Sequence, residues 1–262
     1  MRYSYSIIDT IISIEEQIWT DKILRKFSVK KEKQNELEIR GISEKMYSGN
    51  IQLFNIEKWH YNMFRFNSDV MFVDLEKKRG DIVLPFFEQR NVVTLIMQLF
   101  YANVIKKKVL QLHASIIEKN AYGIMFLGPS GIGKTTQAEL WNKFCDALII
   151  NGDIVFVEEK ENVFLGWGTP WHGSSPYCEN TFVPVKALVV LKQASKNSIR
   201  ELDGGEKVKA VSESVFYPRW LENGMELCLE TLDHLLSSLP VYELSCRPDE
   251  DAVRLTEKTI FN

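Results

Sequence analysis

Leu110, Leu112, Ala114 and Ile116 alternate with His113 and Ser115, a period of two that puts the apolar residues on one face of a strand. The polar turn Glu118-Lys119-Asn120 follows, then a second strand, Gly123-Ile124-Met125-Phe126-Leu127. A glycine-rich stretch leads into a helix from about Lys134 to Phe144, and a third strand, Ala147 to Ile150, ends in Asn151-Gly152-Asp153. Ile154 to Leu165 reads as a hairpin turning at Glu159-Lys160-Glu161-Asn162, with Glu158 and Glu159 at a solvated end. The next connection, Gly166 to Pro184, is longer than most loops and rich in Gly, Pro, Trp and Ser, which marks it for function. Val185 to Leu191 is a strand. Leu221, Met225, Cys228, Leu232, Leu235 and Leu239 recur at spacings of four and three, an amphipathic helix. Tyr242 to Cys246 is a last strand, and Asp249, Glu250 and Asp251 open the closing helix where its dipole favours acids.

Ahead of this region the pattern is shorter and more broken. Tyr3 to Ile8, Glu36 to Ile42 and Asp69 to Val73 read as strands, the last running into the charged turn Glu76-Lys77-Lys78-Arg79-Gly80. Asn91 to Val104 is densely apolar and reads as a mostly buried helix capped by Asn91. The chain is therefore divided into a β-rich N-terminal lobe, 1–90, and an α/β core, 91–262.

Composition narrows the classes. Of 262 residues 45% are hydrophobic and 26% charged, enough apolar surface for a sizeable core. The net charge of −3 and the absence of a basic block argue against a nucleic-acid partner; Lys106-Lys107-Lys108 reads as a solvated helix end. Cys145, Cys178, Cys228 and Cys246 are far apart, so neither a zinc site nor a disulfide frame is expected. No signal-peptide pattern and no apolar run near the ~20 residues of a membrane helix occurs, so a cytoplasmic protein without a membrane partner is expected. A homo-oligomer stays open.

The glycine-rich stretch carries the chemistry. Gly128-Pro129-Ser130-Gly131-Ile132-Gly133-Lys134-Thr135 satisfies G-x-x-x-x-G-K-[ST], the Walker A pattern of a P-loop, between a strand and a helix. Glycines let successive backbone N–H groups point at phosphate oxygens, and the helix adds its positive end. Residues 128–135 with Thr136 are the expected nucleotide contacts: Lys134 reaching from solvent to the β- and γ-phosphates, the Thr135 hydroxyl on magnesium. Asp153, just past a strand end, is placed to bind that magnesium or to take a proton from an attacking hydroxyl. The alternative is a turn-former in Asn-Gly-Asp. His113 is either structural or brought beside the phosphates by the hairpin.

Leu112-His113-Ala114-Ser115, the P-loop a dozen residues on, and then Asn151-Gly152-Asp153 resemble the HPr kinase/phosphorylase superfamily, which shares its nucleotide core with phosphoenolpyruvate carboxykinase. The resemblance covers about 110–262. It implies an α/β carboxykinase-like P-loop core with a mixed sheet, Asp153 as the base that activates the acceptor hydroxyl, and His113 near metal and phosphates. Gly168-Thr169-Pro170-Trp171-His172-Gly173-Ser174-Ser175 and Val183-Pro184-Val185-Lys186-Ala187-Leu188 are similar to a clostridial-type branch. Gly152 stands where that family has the first of two aspartates, and the Glu-Ile-Arg-Gly-Leu-Gly signature is missing, so neither HPr as acceptor nor phosphorolysis is expected.

The resulting expectation is an ATP- and Mg²⁺-dependent kinase acting on an alcohol, with Asp153, His113 and Lys134 catalytic and Thr135 and Asp153 on the metal. The acceptor is expected to be a small molecule, free serine or a polyol. It would be held by Trp171, His172, Ser174 and Asn180, with Trp167 or Trp171 excluding water and Arg200 clamping a phosphate. The alternatives are a protein or peptide serine kinase of the HPr-kinase type and a nucleotide-dependent regulatory protein without turnover. Asp153 favours the enzyme.

Overall fold

The computed structural model describes residues 2–15, 18–19, 22–29, 36–42, 44–46, 52–54, 62–67, 69–83 and 89–261. They fall into two compact units, Met1–Val104 and Ile105–Asn262. The first holds β1 (Arg2–Ile7), β2 (Thr10–Glu15), β3 (Leu37–Ile42), β4 (Glu44–Met46), β5 (Gln52–Phe54), β6 (Asn62–Phe66), β7 (Asp69–Asp74), β8 (Arg79–Val83) and α1 (Gln89–Val104). Six strands form one mixed sheet in the order β1-β2-β3-β8-β7-β6, and β4 pairs with β5 apart from it. Ile12, Ile14, Leu37, Ile39, Met71, Val73 and Ile82 alternate into its core.

The helix α1 belongs to this unit, so the division falls at Val104 rather than ahead of residue 91. It packs on β6, β7 and β8, and Gly80 lets it approach: a Cβ there would lie 2.9 Å from Leu99 and 2.6 Å from Met71. Asn91 is inside the helix and is not its cap. Its side chain, 2% exposed, donates to Asp69 and accepts from Asn67, tying α1 to the strand pair β6–β7. In β3 the Arg40 guanidinium pairs with buried Asp81 across the sheet.

The second unit holds β9 (Val109–Lys119), β10 (Tyr122–Leu127), α2 (Lys134–Cys145), β11 (Leu148–Asn151), β12 (Ile154–Lys160), β13 (Val163–Trp167), β14 (Phe182–Gln193), β15 (Ser198–Glu201), α3 (Gly204–Ser212), α4 (Gly224–Ser238), β16 (Val241–Cys246) and α5 (Glu250–Phe261). Strands β10, β14 and β16 are mutually parallel, and β9 runs antiparallel to β10. Because β9 and β14 are long, each bonds to different partners along its length. The path β9–β10–β14–β13–β12 then returns to β9 and closes on itself. Two glycines make the closure tight enough: a Cβ on Gly166 would lie 2.2 Å from Ile116, and one on Gly123 2.8 Å from Val183. The architecture is mixed α/β, as expected.

Helices α2 and α5 cover β10, β14 and β16 through a core of Phe126, Ala138, Trp141, Val189, Leu244, Ala252 and Ile260. The Asp249 carboxylate accepts from Ala252 N–H, capping α5 where acids were expected. Both tight hairpin turns put non-glycine residues at positive φ, Asn120-Ala121 and Glu161-Asn162, the hand that fits strand twist. Lys106, Lys107 and Lys108 are exposed, following the end of α1.

Glu158 and Glu159 are not a solvated end. Glu158 accepts from the Trp167 indole N–H at 3.1 Å. Glu159, only 11% exposed, binds His234 of α4 at 3.1 Å and Lys108 at 3.3 Å. Burial raises the Glu159 carboxyl, but hydrogen bonds from His234 and Lys108 outweigh it and hold it below the usual carboxylate range. Among the described residues no helix is long and apolar enough to cross a membrane.

Candidate active site

The P-loop leaves the carboxyl end of β10 at Leu127 and enters α2 at Lys134. Gly128, Gly131 and Gly133 have φ of 135°, 79° and 112°. At Gly131 and Gly133 an added Cβ would meet nothing within 4 Å, so the backbone angle and not crowding demands glycine there. Gly133 is the helix N-cap and offers no side chain to the first-turn N–H groups, which leaves them available to an anion. Ser115, on β9, donates to the Lys134 carbonyl at 2.9 Å and fixes the start of the helix from below.

Lys134 is not solvent-facing: it is 6% exposed. Its ammonium donates to the carbonyls of Gly128 and Pro129 at 3.0 and 3.1 Å, bracing the loop. Burial lowers its pKa, opposed by the charge of Asp153. Thr135 Oγ1 donates to the Gly152 carbonyl at 3.0 Å, which brings the Asn151-Gly152-Asp153 turn against the first turn of α2. On that turn Asp153 Oδ1 lies 3.1 Å from His113 Nε2, with the two side chains 33% and 28% exposed. The strand ladder sets this distance: β9 and β12 pair His113 with Ile154, and Ala114 N–H donates to the Asp153 carbonyl. His113, Lys134, Thr135 and Asp153 are thus gathered at one end of α2.

Asn151, read as a turn residue, is the hub beneath the site. It is fully buried, and its side chain makes four hydrogen bonds. The amide donates to the carbonyls of Thr169 and Trp171, and the oxygen accepts from Asp153 and Ile154 N–H. These bonds pin the 166–180 connection under Asp153. Gly152 is forced by the same packing, since a Cβ there would lie 1.9 Å from Ser175 Oγ. Ser175 therefore occupies the space a first aspartate side chain would need. Gly173, with φ of 58°, faces Asp153 itself; its Cβ would lie 1.9 Å from Oδ2. Gly173→Ala is expected to displace that carboxylate and lower turnover about 10²-fold, with nucleotide affinity kept. Steady-state kinetics beside nucleotide calorimetry checks it.

The aromatic residues of the connection do not form a lid. Trp171 is 2% exposed and packs on Phe156, with ring centroids 5.7 Å apart. Trp167 is 6% exposed and lies against Phe182 at 4.5 Å. Both serve the core, because a connection bonded at Asn151 on one side and stacked on strand aromatics on the other is structural. His172 Nδ1 bonds the Ser175 carbonyl within the same turn, while Ser174 and Asn180 are exposed. Arg200 sits on the terminal strand β15 with its guanidinium on Glu206 and Glu243 at 2.7 and 3.2 Å. A segment the pattern did not mark lies closer: Ser214 accepts from His113 N–H, Phe216 N–H donates to Gln111, and the Phe216 ring is 6.4 Å from His113. It continues the β9 edge where β10 turns into the P-loop. With no strand or helix of its own, it has no period to betray it.

Sequence comparison finds a relative that carries the name of the family the motifs resemble. The chain is 22% identical over 188 residues to a protein named HPr kinase/phosphorylase from Mycoplasmopsis pulmonis (strain UAB CTIP), a match covering 71% of this chain and 58% of that relative's length. The chain belongs to the family described as SynChlorMet cassette protein ScmC, whose model matches residues 85–246. Among solved structures the Hpr(Ser) kinase/phosphatase from Coxiella burnetii matches at 9% identity and a TM-score of 0.35, covering 57% of this chain and 95% of that one.

Proposed function

We propose that the chain is an ATP- and magnesium-dependent kinase that transfers the γ-phosphoryl group to an alcohol hydroxyl, on a nucleotide core of the phosphoenolpyruvate carboxykinase type. One observation supports this reading: the Asp153 carboxylate, bonded to His113 at 3.1 Å, stands at the N-terminal end of α2, where the P-loop enters it. A binding protein without turnover needs the loop but no positioned base. Thr135 Oγ1 and an Asp153 oxygen fit magnesium, which binds through one or two carboxylates plus substrate phosphates. Bound there, the ion would neutralise charge on the phosphates. Lys134 would leave the Gly128 and Pro129 carbonyls for the phosphates, a short move for a flexible side chain. Asp153, oriented through Oδ1 by His113, would take the acceptor's proton at Oδ2, the oxygen that Gly173 leaves uncovered.

The acceptor is a hydroxyl presented over Asp153. Free serine or a polyol would use His172, Ser174 and Asn180. A serine on a peptide is favoured by a different observation: Phe216 is 37% exposed beside His113, an apolar contact that a chain can use and a small polyol cannot. Incubation with labelled ATP and magnesium, against a metabolite extract and against serine peptides, separates the two by the mass of the labelled product. Lys134→Ala is expected to abolish transfer and weaken ATP binding, and to raise loop mobility because the brace is lost too. Equal ATP affinity in calorimetry, or no label transferred to any hydroxyl, would overturn the proposal.

A further inference from the structure

The six-stranded sheet of the first unit treats its two edges differently. The β1 edge is covered: Tyr5 bridges to Ser28, and Val29 N–H donates to the Ser4 carbonyl. At the other edge, among the described residues, no segment pairs with the outer side of β6. That strand has the usual length, five residues. It also lacks the devices that blunt an edge, having no proline, no acid and no bulge. Instead it exposes apolar side chains, Met63 at 59% and Phe66 at 39%, with Phe64 half-buried between them. Its one charge, Arg65, turns its guanidinium along the strand, Nε donating to the Asn67 carbonyl at 3.0 Å. The strand is held in place from its end, where the Asn67 side chain donates to Asn91 of α1 at 2.9 Å. A preformed, apolar edge of this kind is a template for another strand.

We infer that the occupant is β6 of a second copy of this chain, and that the protein forms a two-fold dimer through this edge. The register follows from the phase of the hydrogen bonds. β6 and β7 pair Phe66 with Asp69 across a turn in which Asn67 has φ of 52°. The closing pair of a tight hairpin exchanges both of its bonds. Asn62, Phe64 and Phe66 therefore bond to β7, while Met63 and Arg65 turn their N–H and C=O groups outward. Two copies related by a two-fold axis join antiparallel, with outward residues opposite one another. Arg65 opposite Arg65 sets like charges face to face, which is unfavourable. Met63 opposite Met63 leaves Arg65 beyond the end of the other strand. Met63 opposite Arg65 pairs the whole of β6. It gives two backbone hydrogen bonds at each such pair, four in all, and brings the two Phe64 side chains together on the axis as a close, non-hydrogen-bonded pair. The strand is thus its own complement, apolar against apolar at the centre and each cation opposite an uncharged side chain. Because the β1 edge is covered, addition closes at two copies and does not run on into a fibre. A contact this small falls at the low end of specific interfaces, so association at roughly tens of micromolar is expected.

Sedimentation velocity of the full chain from about 1 to about 200 μM tests this. Wild type should pass from monomer to dimer across that range. The exposure of Met63 lets a charge be placed there without disturbing the core. Met63→Lys sets a second cation opposite Arg65 of the other copy and should weaken the dimer about tenfold. Met63→Glu sets an anion there and should tighten it about threefold, with both effects shrinking in about 0.5 M salt. A wild type that stays monomeric to about 200 μM overturns the inference. A dimer whose affinity neither substitution moves also overturns it, because such a dimer uses another surface. Equal weakening by both overturns it too, since that outcome belongs to Met63 opposite Met63.

Discussion

Asp153→Asn is expected to lower kcat for phosphoryl transfer by about 10²- to 10⁴-fold, the usual cost of removing a general base. Asparagine keeps the size of the side chain and can still bond His113 Nε2, so the position of the group is preserved and its basicity is not. Its backbone N–H remains on Asn151 and its carbonyl on Ala114 N–H, so the turn keeps its shape. ATP affinity should change far less than kcat, since in the proposed mechanism residues 128–135 would supply most of the phosphate contacts. A companion change, His113→Gln, removes the partner and leaves the carboxylate. It should cost less than Asp153→Asn, because in the proposed mechanism His113 would position the base and not take the proton. Transfer surviving within a few-fold in Asp153→Asn would reduce Asp153 to a turn residue and overturn the mechanism.

Asn151→Ala is expected to cost on the order of 3–5 kcal/mol of stability, among the largest losses of any single polar side chain in the second unit. The residue is fully buried. Its removal leaves the carbonyls of Thr169 and Trp171 and the N–H groups of Asp153 and Ile154 without these partners. A buried backbone group without a partner costs about 1–3 kcal/mol, and partial relaxation of the connection brings the sum into the stated range. Asn151→Asp is nearly isosteric and should be no better tolerated, since two donors facing carbonyls become an acceptor. Denaturant unfolding of the three proteins checks this; an alanine variant within about 1 kcal/mol of wild type would show that water replaces the side chain. Activity should fall with stability, because the Asp153 N–H is one of the released groups.

The legible parts of the molecule were those with a period or a spacing. The alternation around Leu112 placed β9, the spacing G-x-x-x-x-G-K-T placed the loop between strand and helix, and the four-and-three recurrence from Met225 to Leu235 placed α4. In the sequence His113 and Asp153 each carry a structural and a functional reading, and only the register of β9 against β12 brings them within bonding distance. What escaped had no periodic signal. Asn151 reads as a turn-former because asparagine is common in turns, and nothing local distinguishes one whose side chain is buried. The tryptophans at 167 and 171 read as pocket walls because aromatic residues in a Gly- and Pro-rich loop line pockets as often as they fill cores. Their partners, Phe182 and Phe156, lie on strands 15 residues away in either direction. Helix α3, only nine residues long, and the short β15 were too brief for either period to show.

Closure of the β9–β10–β14–β13–β12 path has a consequence for self-association. A sheet that ends in a long flat strand invites a second copy to add to it. In the described part of the second unit the strands that finish the hydrogen-bonded network are β11 and β15, each four residues long. One is an irregular partner of β9 with a register shift, and the other carries Arg200 and Glu201. Neither offers a template long enough to recruit another chain, so strand addition through this unit is a poor route to fibres or to a dimer. Any assembly built on this unit would therefore have to meet through side chains rather than through backbone pairing.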